Sequence, residues 1–176
     1  MKRAFMPPSV TLEARSVAHA EELFAVLAEP RLYKYLDEAP PASVEALRAK
    51  LARSESRKSP DGSEDWLNWI VRDSEGRLAG YVQATILPDG DGFVAYVLGS
   101  AHWGRGIATA AVAKMLDILA AGFPVQRFLL TVDHRNRRSI KLAQRLGFTP
   151  AWDAGLSARP ASQGDLLFVK RVPCAG

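Results

Sequence analysis

The stretch Val97-Leu98-Gly99-Ser100-Ala101-His102-Trp103-Gly104-Arg105-Gly106-Ile107-Ala108-Thr109 decides the fold, because it reads as a strand passing through a glycine-containing turn into a helix. Gly104 and Gly106 lack Cβ atoms, so the backbone there can turn tightly and an anion can approach its amides. A helix start adds unpaired N–H groups and the positive end of a dipole, and together these make a pyrophosphate cradle. The plainer alternative is an ordinary helix entry that happens to hold two glycines. Two other phosphate motifs are absent: no Gly-x-x-x-x-Gly-Lys-Ser/Thr occurs, and no set of three spaced glycines is followed by an acid about 20 residues on.

Upstream, three extended runs joined by turn signals read as an antiparallel meander: Trp66 to Arg72, Leu78 to Leu87 and Phe93 to Leu98. Before them come a short strand at Val10 to Glu13, a helix capped by Ser16 with Ala20, Leu23, Phe24 and Leu27 on one face, and a second helix capped by Ser43 with Val44, Leu47 and Leu51 as its stripe. Downstream, a long helix from about Gly104 to Ala121 buries Ala108, Ala111, Val112, Met115 and Leu119, and Gly122 and Pro124 are expected to stop it. Arg127 to Val132 is an apolar strand, so the crossover should set it parallel to Phe93 to Leu98. A helix from near Asn136 to Gly147, with Ile140, Leu142 or Ala143, and Leu146 facing inward, precedes strands around Thr149 to Asp153 and Asp165 to Arg171. The expected class is α+β: a mixed, mainly antiparallel sheet of six to seven strands flanked by helices.

The 176 residues are 48% hydrophobic, which excludes disorder, coiled coil and collagen and suits one domain. No run approaches the roughly 20 apolar residues of a membrane helix, and prolines 7 and 8 interrupt the start before a signal-peptide core develops. A cytoplasmic location without membrane contact is the expectation. Cys174 is the single cysteine and reads as a free tail thiol. The formal charge of +4 is uneven: residues 1–122 carry 14 basic and 16 acidic side chains, whereas residues 123–176 carry 9 and 3. Arg135, Arg137, Arg138, Lys141 and Arg145 lie between His134 and Phe148 with no acid among them. This local basicity leaves a nucleic-acid module open, although a small anionic ligand explains it better.

A second constellation, Asn136-Arg137-Arg138-Ser139-Ile140-Lys141-Leu142-Ala143-Gln144-Arg145-Leu146-Gly147-Phe148, follows the glycine turn by about 30 residues. With it, the chain resembles the GNAT N-acetyltransferase superfamily, and more narrowly the subgroup of ribosomal-protein N-terminal alanine acetyltransferases. Residues 103–108 match that superfamily's Gln/Arg-x-x-Gly-x-Gly/Ala turn, and residues 136–148 its Asn-x-x-Ser/Ala-x-x-Leu-x-x-x-Leu-Gly-Phe helix. Val10 to Arg15 and Glu21 to Phe24 look like the subgroup's opening strand and helix. The resemblance covers nearly the whole chain and implies a single acetyltransferase domain over residues 1–176 with a flexible tail at about 172–176.

The resemblance implies acetyl-CoA as cosubstrate, no metal, and direct transfer of acetyl to a primary amine, on a peptide or a small molecule, by a monomer or homodimer. Its pyrophosphate would sit on Trp103, Gly104, Arg105, Gly106, Ile107, Ala108 and Thr109. Val97 and Leu98 would pair with the pantetheine arm, where a backbone N–H facing the acyl oxygen is worth about 3 kcal/mol. Asn136 would contact pantetheine or simply cap the helix, two compatible roles, with Ser139 one turn later on the same face. Three departures stand out. Trp103 replaces the turn's Gln or Arg, Ala143 stands where many members carry a tyrosine acid, and the strand Phe93 to Leu98 lacks their glutamate. Ser139 is then the best donor to the thiolate, with Tyr96, Asp91 and Asp133 as candidates for a water-mediated base. These gaps also motivate an alternative, a non-catalytic acyl-CoA-binding sensor on the same fold. An α-amine, with a pKa of about 8 against about 10.4 for lysine, suits a site with so weak a base. His102 and His134 flank the cleft as titratable groups or, more plainly, as solvent-facing loop histidines. Trp66, Trp69, Trp103 and Trp152 read as core and cleft wall. Tyr33, Tyr35, Asp37 and Glu38 can receive a cationic acceptor or simply pack at the surface.

Overall fold

The computed structural model describes residues 8–151 and 164–173. Seven strands form one sheet in the order β1-β2-β3-β4-β5-β7-β6: β1 Thr11–Ala14, β2 Asp65–Arg72, β3 Leu78–Ile86, β4 Asp91–Leu98, β5 Arg127–Asp133, β6 Thr149–Pro150 and β7 Asp165–Arg171. Every neighbouring pair is antiparallel except β4 with β5. The helices are α1 Ala20–Leu27, α2 Val44–Ser54, α3 Ile107–Gly122 and α4 Arg137–Arg145. This is the mixed, mainly antiparallel architecture expected. Trp152 and Asp153, expected to extend β6, and Cys174 lie outside the described residues, although Ala151 N–H still donates to Leu167 O at 2.9 Å.

Local chemistry accounts for the elements. Ser43 Oγ accepts the Ala46 N–H at 3.1 Å and starts α2, whose Leu47 and Leu51 are buried on a helix otherwise open to solvent. Ser16 opens a 3-10 turn, Val17–His19, before α1 begins at Ala20. Helix α3 starts at Ile107 rather than near Gly104, because Gly104 and Gly106 take φ of +71° and +78°, which a helix interior cannot hold. It also runs through Gly122 instead of stopping there. The break falls at Phe123, whose φ of −136° is the extended conformation forced on a residue before proline.

The interior has two apolar clusters. One lies between the sheet and α3 and α4, with Val112, Met115, Leu119, Phe128 and Phe168 nearly inaccessible. The other holds α1 and α2 over Ile70 and Leu78. Trp103 touches both.

Strand β4 sits at the division between them. Gly99 N–H donates to Ala79 O at 2.9 Å and Leu87 N–H to Asp91 O at 2.8 Å, and the register between these bonds alternates. The N–H and C=O of Ala95 and Val97 therefore face β3, while those of Tyr96 and Leu98 turn to the other side. On that other side β5 pairs only with Asp91, Gly92 and Phe93, through Arg127, Phe128 and Leu129. Beyond Phe93 the two parallel strands part, leaving an open backbone edge. Opposite Leu98 a side chain is excluded: a Cβ on Gly80 would lie 2.8 Å from Leu98 Cα, and Gly80 adjoins a register shift between β2 and β3.

Candidate active site

Three pieces meet at the parting of β4 and β5: the β4 edge, the turn into α3, and the start of α4. The turn presents Gly104 and Arg105 to solvent, while Ile107 is anchored in the core and Trp103 packs against both apolar clusters. No heavy atom lies within 4 Å of where a Gly104 Cβ would stand, and Gly106 caps α3 with no side-chain bond, so the first N–H groups of that helix keep their donors. Arg105 is exposed and has no carboxylate partner among the described residues. Trp103 does not offer its own donor to an anion, because its Nε1–H is held by Leu98 O at 2.8 Å.

Helix α4 is capped differently. Asn136 Oδ1 accepts the Ser139 N–H at 3.2 Å, so the cap role expected for Asn136 is present while its amide NH₂ stays available. The first turn carries Arg137 and Arg138 and no acid, although cations are disfavoured at the positive end of a helix. Arg138 lies over the Trp103 ring with its Cζ 4.8 Å from the centroid, tying the two helix starts together. Nothing in the sequence signals that contact, since 35 positions separate the two residues.

Ser139 and Tyr96 come together across the cleft: Tyr96 Oη donates to Ser139 Oγ at 2.8 Å. Burial pushes the Tyr96 phenol up from its ordinary pKa, so it stays protonated and acts as a donor to Ser139, not as the base proposed from sequence. The other two base candidates are committed elsewhere. Asp91 is buried in a two-point pair with Arg127 at the closed end of the cleft, with Nη2 to Oδ2 at 3.0 Å. Hydrogen bonds from Arg135 hold the Asp133 carboxyl down at about 2, which makes it a poor proton acceptor. Val97 also differs from expectation, because its backbone is spent on Tyr81 of β3 and the open edge belongs to Tyr96 and Leu98.

His134 is exposed, with Nδ1 2.8 Å from Gly164 O. His102 is not the solvent-facing loop residue expected: it turns inward, its Nδ1 buried without a hydrogen-bond partner and 3.8 Å from Asp73, and burial lowers its pKa. Tyr33 donates to Leu27 O at 2.8 Å, Glu38 pairs with Lys50, and the Tyr35 ring lies near Lys34 and Arg135. Tyr33 and Tyr35 are half-buried, whereas Glu38 is exposed in a surface ion pair. Trp69 is core, and Trp66 donates Nε1–H to Glu64 at 2.8 Å.

Residues 9–149 match the family model described as the acetyltransferase (GNAT) domain. The chain belongs to the GNAT family of acetyltransferases. It is an N-acetyltransferase whose similarity extends to an uncharacterized N-acetyltransferase p20 of Bacillus licheniformis, 26% identical over 141 residues, spanning 79% of this chain and 78% of that one. Among solved structures, the fold is shared with RimL, a ribosomal L7/L12 alpha-N-protein acetyltransferase in complex with coenzyme A, at TM-score 0.77 and 19% identity over 94% of this chain and 97% of that one. It is shared also with the ribosomal-protein-S5-alanine acetyltransferase of Vibrio fischeri, at TM-score 0.74 and 21% identity over 96% of each chain. The GNAT fold of this chain is thus one that it shares with ribosomal-protein acetyltransferases.

Proposed function

We propose that the GNAT cleft binds acetyl-CoA and catalyses direct transfer of its acetyl group to a primary amine, with Ser139 as the proton donor to the leaving thiolate. The observation that carries this reading is the Tyr96–Ser139 hydrogen bond beside the unpaired β4 edge. The residues fit the cosubstrate. The uncapped start of α3 with Gly104 and Gly106, Arg105 and the Arg137–Arg138 pair suit its phosphates, and the free Asn136 amide and the Tyr96 and Leu98 backbone suit an amide-bearing arm. Acetyl-CoA supplies the activated acyl group. The Leu98 N–H, facing away from β3, is placed to donate to an acyl oxygen as charge develops there. Because Tyr96 donates into Ser139 Oγ, the serine's own proton is free to point into the cleft, and protonated Tyr96 stands behind it to polarise that O–H. With Asp91 and Asp133 locked in ion pairs, this site suits an acceptor that arrives with little need of a base. An α-amine of pKa about 8 meets that condition better than a lysine side chain.

Ser139→Ala tests the assignment, since the residue is not buried in the core and its loss leaves the Asn136 cap intact. The expected result is a fall in kcat of about 100-fold, the weight of one general acid, with the KM for acetyl-CoA little changed. A kcat equal to that of the wild type would remove Ser139 from the chemistry.

A further inference from the structure

On the α2 side of the sheet, away from the β4–β5 cleft, two adjoining hollows of about 310 and 260 Å³ share Arg15, Ser54 and Asn68. We propose that this paired hollow is an anion-binding site for a carboxylate or phosphate, centred on Arg15.

Three of the described arginines are half-buried: Arg15, Arg72 and Arg127. Arg72 is paired with Glu13 and Glu22, and Arg127 with Asp91. Arg15 has no carboxylate within ion-pair distance among the described residues. Its Nη2 donates to the neutral oxygens of Asn68 (2.7 Å) and Ser54 (3.4 Å), its Cζ lies 5.2 Å from the Tyr81 centroid, and its Nε and Nη1 find no acceptor among the described residues. Burial accordingly presses its pKa downward. A guanidinium held in place by neutral groups keeps its charge for something else, since a desolvated cation without a counter-charge is costly.

The rest of the hollow has the same sign. Lys50, Arg53 and Arg57 line it beside Arg15, against a single acid, Glu55, whose Oε1 already accepts the Val17 N–H at 2.8 Å. Glu38, whose field reaches Arg15, is paired with Lys50 at 3.3 Å. Arg53 and Arg57 have no carboxylate within ion-pair distance among the described residues.

Position narrows the source of the anion. Asn68 pairs with Gln83, and Gln83 with Ala95 of β4, so all three share one face; Asn68 lies two strands from β4, roughly 10 Å, and the second hollow reaches Gln83 on the strand between. The anion is either a free carboxylate or phosphate, or the charged end of the acceptor. The second source rests on the acetyltransferase reading above, the first does not.

The test uses the full-length protein saturated with coenzyme A, which removes the cleft as a competing phosphate site. Melting temperature is followed against phosphate and citrate at ionic strength held constant with sodium chloride. The expected result is stabilisation beyond the chloride control, with apparent Kd raised about tenfold or more in Arg15→Gln and in the exposed variant Arg53→Glu. A second arm compares kcat/KM for the peptides Ala-Gly-Asp and Ala-Gly-Asn. A preference for the Asp peptide that Arg15→Gln abolishes assigns the anion to the acceptor. Arg15-dependent phosphate or citrate binding without that preference supports a free anion. No specific stabilisation in the wild type together with no peptide preference overturns the site, as does retention of both effects in both variants. Failure of coenzyme A to bind would instead count against the donor cleft, and the Arg15 dependence would be read in the unliganded protein.

Discussion

The starts of α3 and α4 face the same cleft and are finished in opposite ways. Helix α4 is closed by its own side chain, Asn136 Oδ1 on the Ser139 N–H, whereas α3 begins at a left-handed glycine with no cap. A capped start spends its donors on the protein and an uncapped one keeps them for a ligand. Yet the closed start carries Arg137 and Arg138, and Arg138 leans over Trp103 toward the open one. The two helices divide the work: α3 offers backbone N–H groups and α4 offers charge.

That division can be broken in three ways. Gly106→Glu should have the largest effect. It forces a side chain into φ of +78°, at roughly 1–2 kcal/mol, and sets a carboxylate where the α3 amides meet an anion. Acetyl-CoA affinity measured by calorimetry should fall about 100-fold while circular dichroism stays near wild type.

Asn136 separates cap from ligand contact. Asn136→Ala should cost about 1 kcal/mol of stability and weaken acetyl-CoA binding. Asn136→Asp keeps an oxygen for the Ser139 N–H but loses the amide donor, so its melting temperature should match wild type while affinity drops about tenfold. Normal acetyl-CoA binding by Asn136→Asp would make Asn136 a cap alone.

The smallest effect belongs to Arg135, which braces the turn into α4. Its hydrogen bonds hold the Asp133 carboxyl at about 2, below the 3.8 of a free aspartate. A depressed carboxylate stabilises the fold above its unfolded pKa and loses that contribution as pH falls through the folded one. The melting temperatures of wild type and Arg135→Ala should therefore differ by a constant amount above about pH 5 and converge as pH falls below about 2.

How much was legible in the sequence follows the range of the interaction. The α2 cap at Ser43, the meander turns, the parallel crossover and the two glycines of the turn into α3 are all legible, because each depends on residues a few positions apart. The end of α3 falls within a residue of the stop that Gly122 and Pro124 signal, and of the two the proline, acting through Phe123, sets it. Among site residues, Ser139 and Tyr96 were both named, yet their hydrogen bond joins a strand to a helix 43 positions away and reversed the role of the tyrosine. The Arg138–Trp103 stack and the hollow at Arg15 left no local trace.

By itself the sequence determined the class of fold, the family resemblance and the place of the glycine turn into α3, since backbone conformation, capping and short spacing are local properties. Only the tertiary structure decided which backbone groups of β4 stay unpaired, because that depends on β5 parting from it after Phe93. Tertiary structure likewise decided which charged side chains are spent on partners. Asp91 and Asp133 are neutralised and Arg15 is not, and that distinction depends on what burial and neighbouring strands bring within a few ångströms.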